Sequence, residues 1–348
     1  MTTITIEQSS DVSRDSVIDV SILVAIRNEV EHIDRCINSL VNQDFPKDKY
    51  EIVIADAMSV DGTREIVKSY EKKFPQLIKV LDNPNITQAY GRITALNHAK
   101  GRIIMYLDGH SYVSTRHIST LVKALDNSAE HVVAVGTNLR TPDDETFMGK
   151  VIAEVQKTLI GGGTTSMRVE HEQKNLDTVA FPAYKRDVLD FVGFYDPRFV
   201  IGEDVELNLR INKRGFKIMI CPEIFTSYYR KYDSITRFAK KMLNYGIWRA
   251  IVVKKHPDSI KPALILPSLL VAFFCTFPFI LLFNISLLTP YIAFSSLYLL
   301  ALFVSSIIIS NRQQDARYLI SFVIYLVEHT VFGFGFIRGL FKKLCTNR

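Results

Sequence analysis

The chain has 348 residues, 48% of them hydrophobic and 22% charged, with a net charge of +6. That length and apolar content exclude a disordered or low-complexity protein and leave room for two or more domains. The four cysteines, Cys36, Cys221, Cys275 and Cys345, are far apart and form no Cys-x-x-Cys pair, which argues against a disulfide framework or a zinc site and leaves them as packing residues.

Residues 1–19 are polar and slightly acidic and read as a loose arm without a secretory signal. Val20 to Ile26 is a compact apolar strand, and Ile33, Cys36, Ile37, Leu40 and Val41 then recur at helical spacing. Tyr50 to Ala55 predicts a second strand ending at Asp56, and Asp61-Gly62-Thr63 turns the chain into a helix carrying Ile66, Val67 and Tyr70. Leu77 to Leu81 is a third strand, Ala89 to Ala99 a helix, and Ile103 to Leu107 a fourth strand that runs into Asp108-Gly109-His110. Such alternation predicts an α/β fold with a mainly parallel sheet and right-handed crossovers, whose ligands collect at the carboxyl ends of the strands. Glu29, Asp56 and Asp108 all fall at those ends.

Asp-Gly is also a common turn pair, so a turn reading stands beside a functional one for Asp108. Two familiar phosphate sites are absent: Arg27-Asn28-Glu29 follows the first strand without a glycine, and there is no Gly-x-x-x-x-Gly-Lys loop. Without a glycine nest, a diphosphate is most simply neutralised by a divalent cation on Asp108 and His110, Mg2+ or Mn2+, with the imidazole tilting the choice toward Mn2+. Downstream, Gly161-Gly162-Gly163-Thr164-Thr165 and Arg168 suit either a mobile loop closing over a ligand or an inert linker. Glu203 and Asp204 open a helix that runs through Leu207, Leu209 and Ile211 to Gly215, where acids also serve as ordinary first-turn residues.

Residues 226–262 hold nine Lys or Arg against two Asp, together with Tyr228, Tyr229, Tyr232, Tyr245 and the only tryptophan, Trp248. A basic patch can mark nucleic acid, but one rich in aromatics beside long apolar runs fits membrane lipids better, and no nucleic-acid partner is expected. Those runs, 263–283 and 285–310, carry no formal charge and are each long enough to span a bilayer. A third, 318–337, contains Glu328 and His329, with Gly333 and Gly335 loosening its end, and either spans or re-enters. Glu328 and His329 read as structural, paired with each other or with a neighbouring span. Three crossings would carry Arg338, Lys342, Lys343 and Arg348 away from the first domain, against the positive-inside tendency, which puts that domain in the cytoplasm.

The segments Ser21 to Glu29, Asp56 with Ser59-Val60-Asp61-Gly62-Thr63, Gly91-Arg92 with Ala95-Leu96-Asn97, Asp108-Gly109-His110 and Glu203-Asp204 occur in an order that resembles family 2 inverting glycosyltransferases. The likeness runs from about Val20 to Arg249. The Asp-Gly-His-Ser form and Thr178-Val179-Ala180-Phe181 with Ala183-Tyr184 look most like the succinoglycan-type membrane enzymes of exopolysaccharide biosynthesis. The resemblance implies a GT-A catalytic domain over 20–225 with a nucleotide-binding half at 20–110 and an acceptor half at 111–225. An interfacial segment at 226–262 and an α-helical membrane region at 263–348 follow. It implies that Ala25, Arg27, Glu29, Asp56, Arg92, Asn97 and Asp108 bind a nucleotide-diphosphate sugar, a UDP-sugar first of all, and that Asp108 and His110 hold Mn2+ or Mg2+. Asp204 is implied as the base that deprotonates the acceptor, with Glu203 orienting the acceptor or lifting the pKa of Asp204. Gly162, Arg168, Tyr184 and Trp248 are implied on the acceptor side, which would receive a polyprenyl-linked or other glycan.

Two departures bear on this. Pro182 stands where relatives often have Gly, so the backbone there differs in shape. Processive synthases carry Gln-x-x-Arg-Trp where this chain has Lys241 to Tyr245, Gly246 and Trp248, so one sugar per encounter is expected. Two alternatives stand beside this reading: a non-catalytic sugar-nucleotide-binding scaffold of an assembly complex, and a nucleotidyltransferase, which would release pyrophosphate.

Overall fold

The computed structural model describes residues 18–162 and 172–342. β1 (Val20–Ile26), α1 (Ile33–Val41), β2 (Tyr50–Asp56), α2 (Thr63–Lys73), β3 (Ile78–Asp82), α3 (Gln88–Leu96) and β4 (Ile103–Asp108) alternate as the apolar spacing predicts. These strands pair in parallel in the order β3-β2-β1-β4. The side chains of β1, β2 and β4 are buried almost throughout, as strands covered by crossover helices on both faces must be. The chain leaves β1 in one direction to β2 and returns on its other side to β4, which makes the β1/β4 crevice the switch point where ligands bind in such sheets.

The second half is mixed. β5 (Ser111–Val113), α4 (His117–Asp126), β6 (Val132–Arg140), α5 (Phe147–Lys157), α6 (Leu159–Gly162), β7 (Asn175–Leu176), β8 (Ala180–Lys185), α7 (Arg186–Val192), α8 (Glu203–Lys213) and β9 (Lys217–Tyr228) extend the sheet as β4-β8-β6-β9-β5, with β7 on β9. β8 runs antiparallel to both neighbours, whereas β6 and β9 are parallel. One continuous apolar core underlies the sheet, whereas α5 packs into a second cluster with residues of the later helices.

α9 (Ile235–Lys255) is capped by Ser234, whose side chain accepts from the Arg237 amide. α10 (Pro262–Cys275), α11 (Phe277–Phe283), α12 (Leu288–Gln313), a 3-10 segment Ala316–Ile320 and α13 (Ser321–Phe341) complete the described chain. The stretches Pro262–Phe283, Ile285–Gln313 and Ala316–Phe341, with mean hydropathies of 2.4, 2.3 and 1.7, are long and apolar enough to cross a membrane. α10, α11 and α12 expose many large apolar side chains, among them Leu266, Leu282, Leu297 and Ile308.

One expectation about this region changes. α13 is one unbroken helix. Gly333 and Gly335 do not loosen it: a Cβ on Gly335 would lie 2.3 Å from the Leu243 carbonyl oxygen, and one on Gly246 2.2 Å from that of Phe332. Glycine is required because the backbones of α9 and α13 touch. Of the two pairings expected for His329, it makes the one with a neighbouring apolar helix: it bonds the Tyr298 hydroxyl of α12, and also the Ile160 carbonyl oxygen, each at 3.0 Å. Gly335→Leu should force the two helices apart and lower stability by about 1–3 kcal/mol, the usual range for overpacking, read as a lower thermal midpoint in detergent.

The aromatic collar is also displaced inward. β9 carries it back across the sheet, so Tyr229 stacks on His32 with centroids 4.2 Å apart and Tyr232 packs on Phe238. Arg230 is buried, with its amide on Glu145 and its guanidinium on Gln156 and Thr141. These residues line the catalytic domain instead of facing headgroups.

Candidate active site

β-sheet register sets the first contacts. Ala25 lies beside Asp108 and Ile26 beside Asp56, so both acids flank the carboxyl end of β1. The Thr87 hydroxyl caps α3 by accepting from the Tyr90 amide, and this aims Gln88 and, one turn later on the same face, Arg92 at Asp108. Asp108 Oδ1 accepts from Gln88 Nε2 at 2.6 Å and Arg92 Nη2 at 3.1 Å, while Arg92 Nη1 reaches Glu203 Oε1 at 2.9 Å. Arg92 is only 4% exposed and its guanidinium lies 4.1 Å from the Tyr106 ring centroid. It is therefore no solvated helix face; it bridges an acid of the donor half to an acid of the acceptor half.

Gly109 permits the next contact, because a Cβ there would stand 2.9 Å from Glu29 Cγ. Glu29 is buried, with Oε1 2.9 Å from His110 Nδ1 and Oε2 2.9 Å from Lys231 Nζ. Burial alone would raise its pKa, but the His110 bond and the charges of His110 and Lys231 hold it below the ordinary glutamate range. Each oxygen thus has a protein partner, and Glu29 orients His110. Asp56 is likewise committed: Oδ1 accepts from the Ser59 amide and hydroxyl, at 3.1 and 2.6 Å, and Oδ2 from Arg64 at 2.8 Å. Ser59 Oγ in turn accepts from the Asn28 amide at 2.9 Å, so Asp56 shapes the paired loops after β1 and β2 that rim the crevice.

On the other side, Gly202 adopts φ +81°, which favours glycine and swings the chain into α8. Glu203 is buried toward Arg92. Burial pushes its pKa up, Arg92 opposes this, the neighbouring Asp204 charge adds to it, and the balance lies at about 7. The raised carboxyl at this helix start is therefore Glu203. Asp204 is half-buried, with Oδ1 accepting from the Val205 amide at 2.8 Å.

Other expected residues fall elsewhere. Asn97 is exposed at the far end of α3, nine residues or roughly 14 Å from Gln88 along the helix axis, so it does not join the site. Tyr184 is core: its hydroxyl donates to Asn208 Oδ1 at 2.7 Å and its ring stacks on Tyr106, so no acceptor reaches it. Trp248 is half-buried on α9 beside Phe199 and the apolar residues of α8. Gly162 ends the short α6, and Gly161 packs so closely on Val155 that a Cβ would lie 2.4 Å from its carbonyl oxygen. Gly163, Thr164, Thr165 and Arg168 lie outside the described residues. Arg27 is exposed at the end of β1, and Ala25 sits where Gly91 lets α3 approach.

Three residues were not legible as site residues. Gln88 binds Asp108, Lys231 binds Glu29, and the Tyr228 ring lies 5.1 Å from that of His110. Pairing of Ser111 with Tyr228 across β5 and β9 delivers the last two; the only sequence signal was a basic aromatic cluster that points equally to lipid.

The donors suit a divalent cation. Glu29 on Nδ1 leaves Nε2 of a neutral His110 with its lone pair, the carboxylate-histidine arrangement typical of metal ligands. Asp108, two residues earlier, keeps Oδ2 with no hydrogen bond to that oxygen among the described residues. Among those residues no group of three or more His, Cys, Asp or Glu is arranged to hold a metal. Two protein donors with the remaining positions left to phosphate oxygens and water is the usual arrangement for Mg2+.

One turn beyond Glu203, Glu206 anchors α8 to the end of α9. Its fully buried carboxylate meets Lys255 Nζ at 2.7 Å, Arg210 Nε at 3.0 Å and His256 Nε2 at 3.1 Å. Burial would raise its pKa, but the Lys255 bond, the Arg210 charge and the His256 bond outweigh this and hold it below the ordinary glutamate value of 4.5. A depressed carboxyl contributes stability that is fully present above about 4.5 and is lost as pH falls through the folded value. The thermal midpoint of Glu206→Gln should therefore lie below wild type at pH 7, and the gap should close below pH 4.5.

A family model described as Glycosyl transferase family 2 matches residues 21–193. The succinoglycan biosynthesis protein ExoA of Rhizobium meliloti is 30% identical over 256 residues, 70% of this chain and 73% of its own. The dolichyl N-acetyl-alpha-D-glucosaminyl phosphate 3-beta-D-2,3-diacetamido-2,3-dideoxy-beta-D-glucuronosyltransferase of Methanococcus voltae is 25% identical over 330 residues, 93% of this chain and 97% of that protein. Among solved structures, a mannosyltransferase from Pyrobaculum calidifontis in complex with GDP-Man and Mn2+ superposes with a TM-score of 0.58 at 19% identity, covering 96% of this chain and 91% of that one. This last likeness shows the fold, which is GT-A. The chain belongs to glycosyl transferase family 2.

Proposed function

We propose that this glycosyltransferase is membrane-anchored and inverting, and moves a single sugar from a nucleotide-diphosphate sugar, a UDP-sugar first of all, to a lipid-linked glycan. It would act at the cytoplasmic face in exopolysaccharide or other cell-surface glycan synthesis. The observation that carries the reading is the Arg92 bridge, which holds Asp108 of the crevice and Glu203 of α8 on one guanidinium and so brings the start of α8, where Asp204 lies, to the crevice. Asp204 takes the acceptor hydroxyl's proton as that oxygen bonds the anomeric carbon. The bond to the diphosphate oxygen breaks on the opposite face, and the nucleoside diphosphate leaves with the electron pair. Mn2+ or Mg2+ on Asp108 and His110 would neutralise the diphosphate. Glu29 and Lys231 hold the His110 ring, and the Asp56 loop closes the nucleoside end.

A lipid acceptor is favoured by the long apolar helices of this chain and by its likeness to the Methanococcus voltae glucuronosyltransferase, whose name includes a dolichyl N-acetyl-alpha-D-glucosaminyl phosphate. Single transfer rests on Lys241 to Trp248 of α9 lacking the processive pattern. The test incubates detergent-solubilised protein with a panel of nucleotide sugars, Mn2+ and a lipid extract, and follows label into the organic phase. Label that depends on Mn2+ supports the proposal. Sugar-nucleotide binding without transfer to any acceptor, pyrophosphate release, or long polymer from purified enzyme would each overturn part of it.

A further inference from the structure

We infer that α13 does not cross the membrane but lies along the headgroup–acyl boundary beneath the catalytic domain. The fold then has two spans, and its last described residues return to the catalytic side. A 21-residue helix is about 31 Å long, close to the hydrocarbon thickness of roughly 30 Å. A span that leaves the catalytic domain at one end must end far from it at the other. α13 touches that domain, or the helix pinned to it, along its whole length.

At its start, the Tyr318 ring meets Phe147 of α5 with centroids 5.3 Å apart. In its first half, the Tyr325 hydroxyl lies 3.0 Å from Thr158 Oγ1, and His329 Nε2 is 3.0 Å from the Ile160 carbonyl oxygen. Further on, Gly335 abuts Leu243 and Gly339 abuts Ile247, both on α9. At its end, Lys254 of α9 donates to the carbonyl oxygens of Leu340 and Lys342. α9 is itself no span. It carries Arg237, Lys240, Lys241, Arg249, Lys254 and Lys255, and its last turn is held on α8 by Lys255 and His256 against Glu206.

The hairpin before α13 begins and ends on the same side. Lys261, just before α10, pairs with Asp177, and Gln313, at the end of α12, lines a cleft with Arg140 and Phe225 at the sheet edge. The outward face of α13 carries Val323, Phe334 and Phe341, all exposed. They stand eleven and seven residues apart, near whole numbers of turns, so they form one apolar stripe. Exposed Arg338 flanks it, as a cation does where a helix lies at the headgroup level. This placement also removes the charge conflict of a third crossing, because Arg312, Arg317, Arg338, Lys342, Lys343 and Arg348 all stay on one side.

The test uses the full chain with an epitope tag after Arg348, Cys275 and Cys345 replaced by serine, and cysteines introduced as Lys123→Cys on α4 or Asn284→Cys between the spans. Sealed membranes of each orientation are treated with an impermeant maleimide and with antibody. The tag should be reached from the side that labels Lys123→Cys, opposite to Asn284→Cys; a tag reached with Asn284→Cys overturns the inference. Spin labels at Val323, Phe334 and Phe341 give a second reading. One shared depth supports a surface helix, whereas depths that progress along the chain by about 1.5 Å per residue mean a span. Neither outcome depends on which nucleotide sugar is used or on which compartment the catalytic side faces.

Discussion

Asp204→Asn should abolish measurable sugar transfer while leaving sugar-nucleotide binding intact. A positioned general base contributes about 10²–10⁴-fold to rate, and Asp204 is a half-buried carboxylate beside Glu203, which Arg92 ties to Asp108. The amide keeps the size and still accepts the Val205 amide bond that Asp204 Oδ1 accepts, so folding should change little. Titration of the nucleotide sugar by calorimetry, alongside the rate of label entering lipid, separates the two effects. A variant within a few fold of wild-type turnover would remove Asp204 from the role of base. Loss of binding together with turnover would instead place it in the donor site.

Arg92→Met should cost both activity and stability. It leaves Asp108 and Glu203, whose side chains are 14% and 6% exposed, without the counter-charge that lies 3.1 and 2.9 Å away. Breaking a buried ion pair from one side costs about 3–5 kcal/mol, because the remaining charge stays desolvated. Adding Glu203→Gln should therefore restore part of the thermal midpoint lost in the single variant, without restoring transfer. Strict additivity of the two losses would mean that the residues are not coupled. Arg92→Lys keeps the charge but not the fork that reaches two carboxylates at once, and it should fall between wild type and Arg92→Met in both measurements.

Much of this was legible before any coordinates. The runs Val20–Ile26, Tyr50–Asp56 and Ile103–Asp108 are apolar enough to be buried on both faces, and Asp56 and Asp108 close their runs where a parallel sheet gathers ligands. Glu203-Asp204 after a glycine announced the start of α8. What failed was assignment by proximity to a motif. Asn97 belongs to the same short segment as Arg92 yet sits at the opposite end of α3, and Tyr184 alternates inward on β8 to bond Asn208.

Composition and periodicity by themselves determined that there is a parallel α/β domain with acids at its strand ends, a basic junction and long apolar helices, because those features repeat locally at 2.0 and 3.6 residues. Only the tertiary structure decided which partners those acids meet. Glu29 meets His110 and Lys231, 202 positions away, Asp56 meets Ser59 and Arg64, and Glu203 meets Arg92. The same holds for the partners of α13, whose sequence permits a span. Its glycines and end contacts bind it to α9. Length and hydropathy record how much apolar surface a helix has, whereas its direction depends on partners that lie far off in the chain.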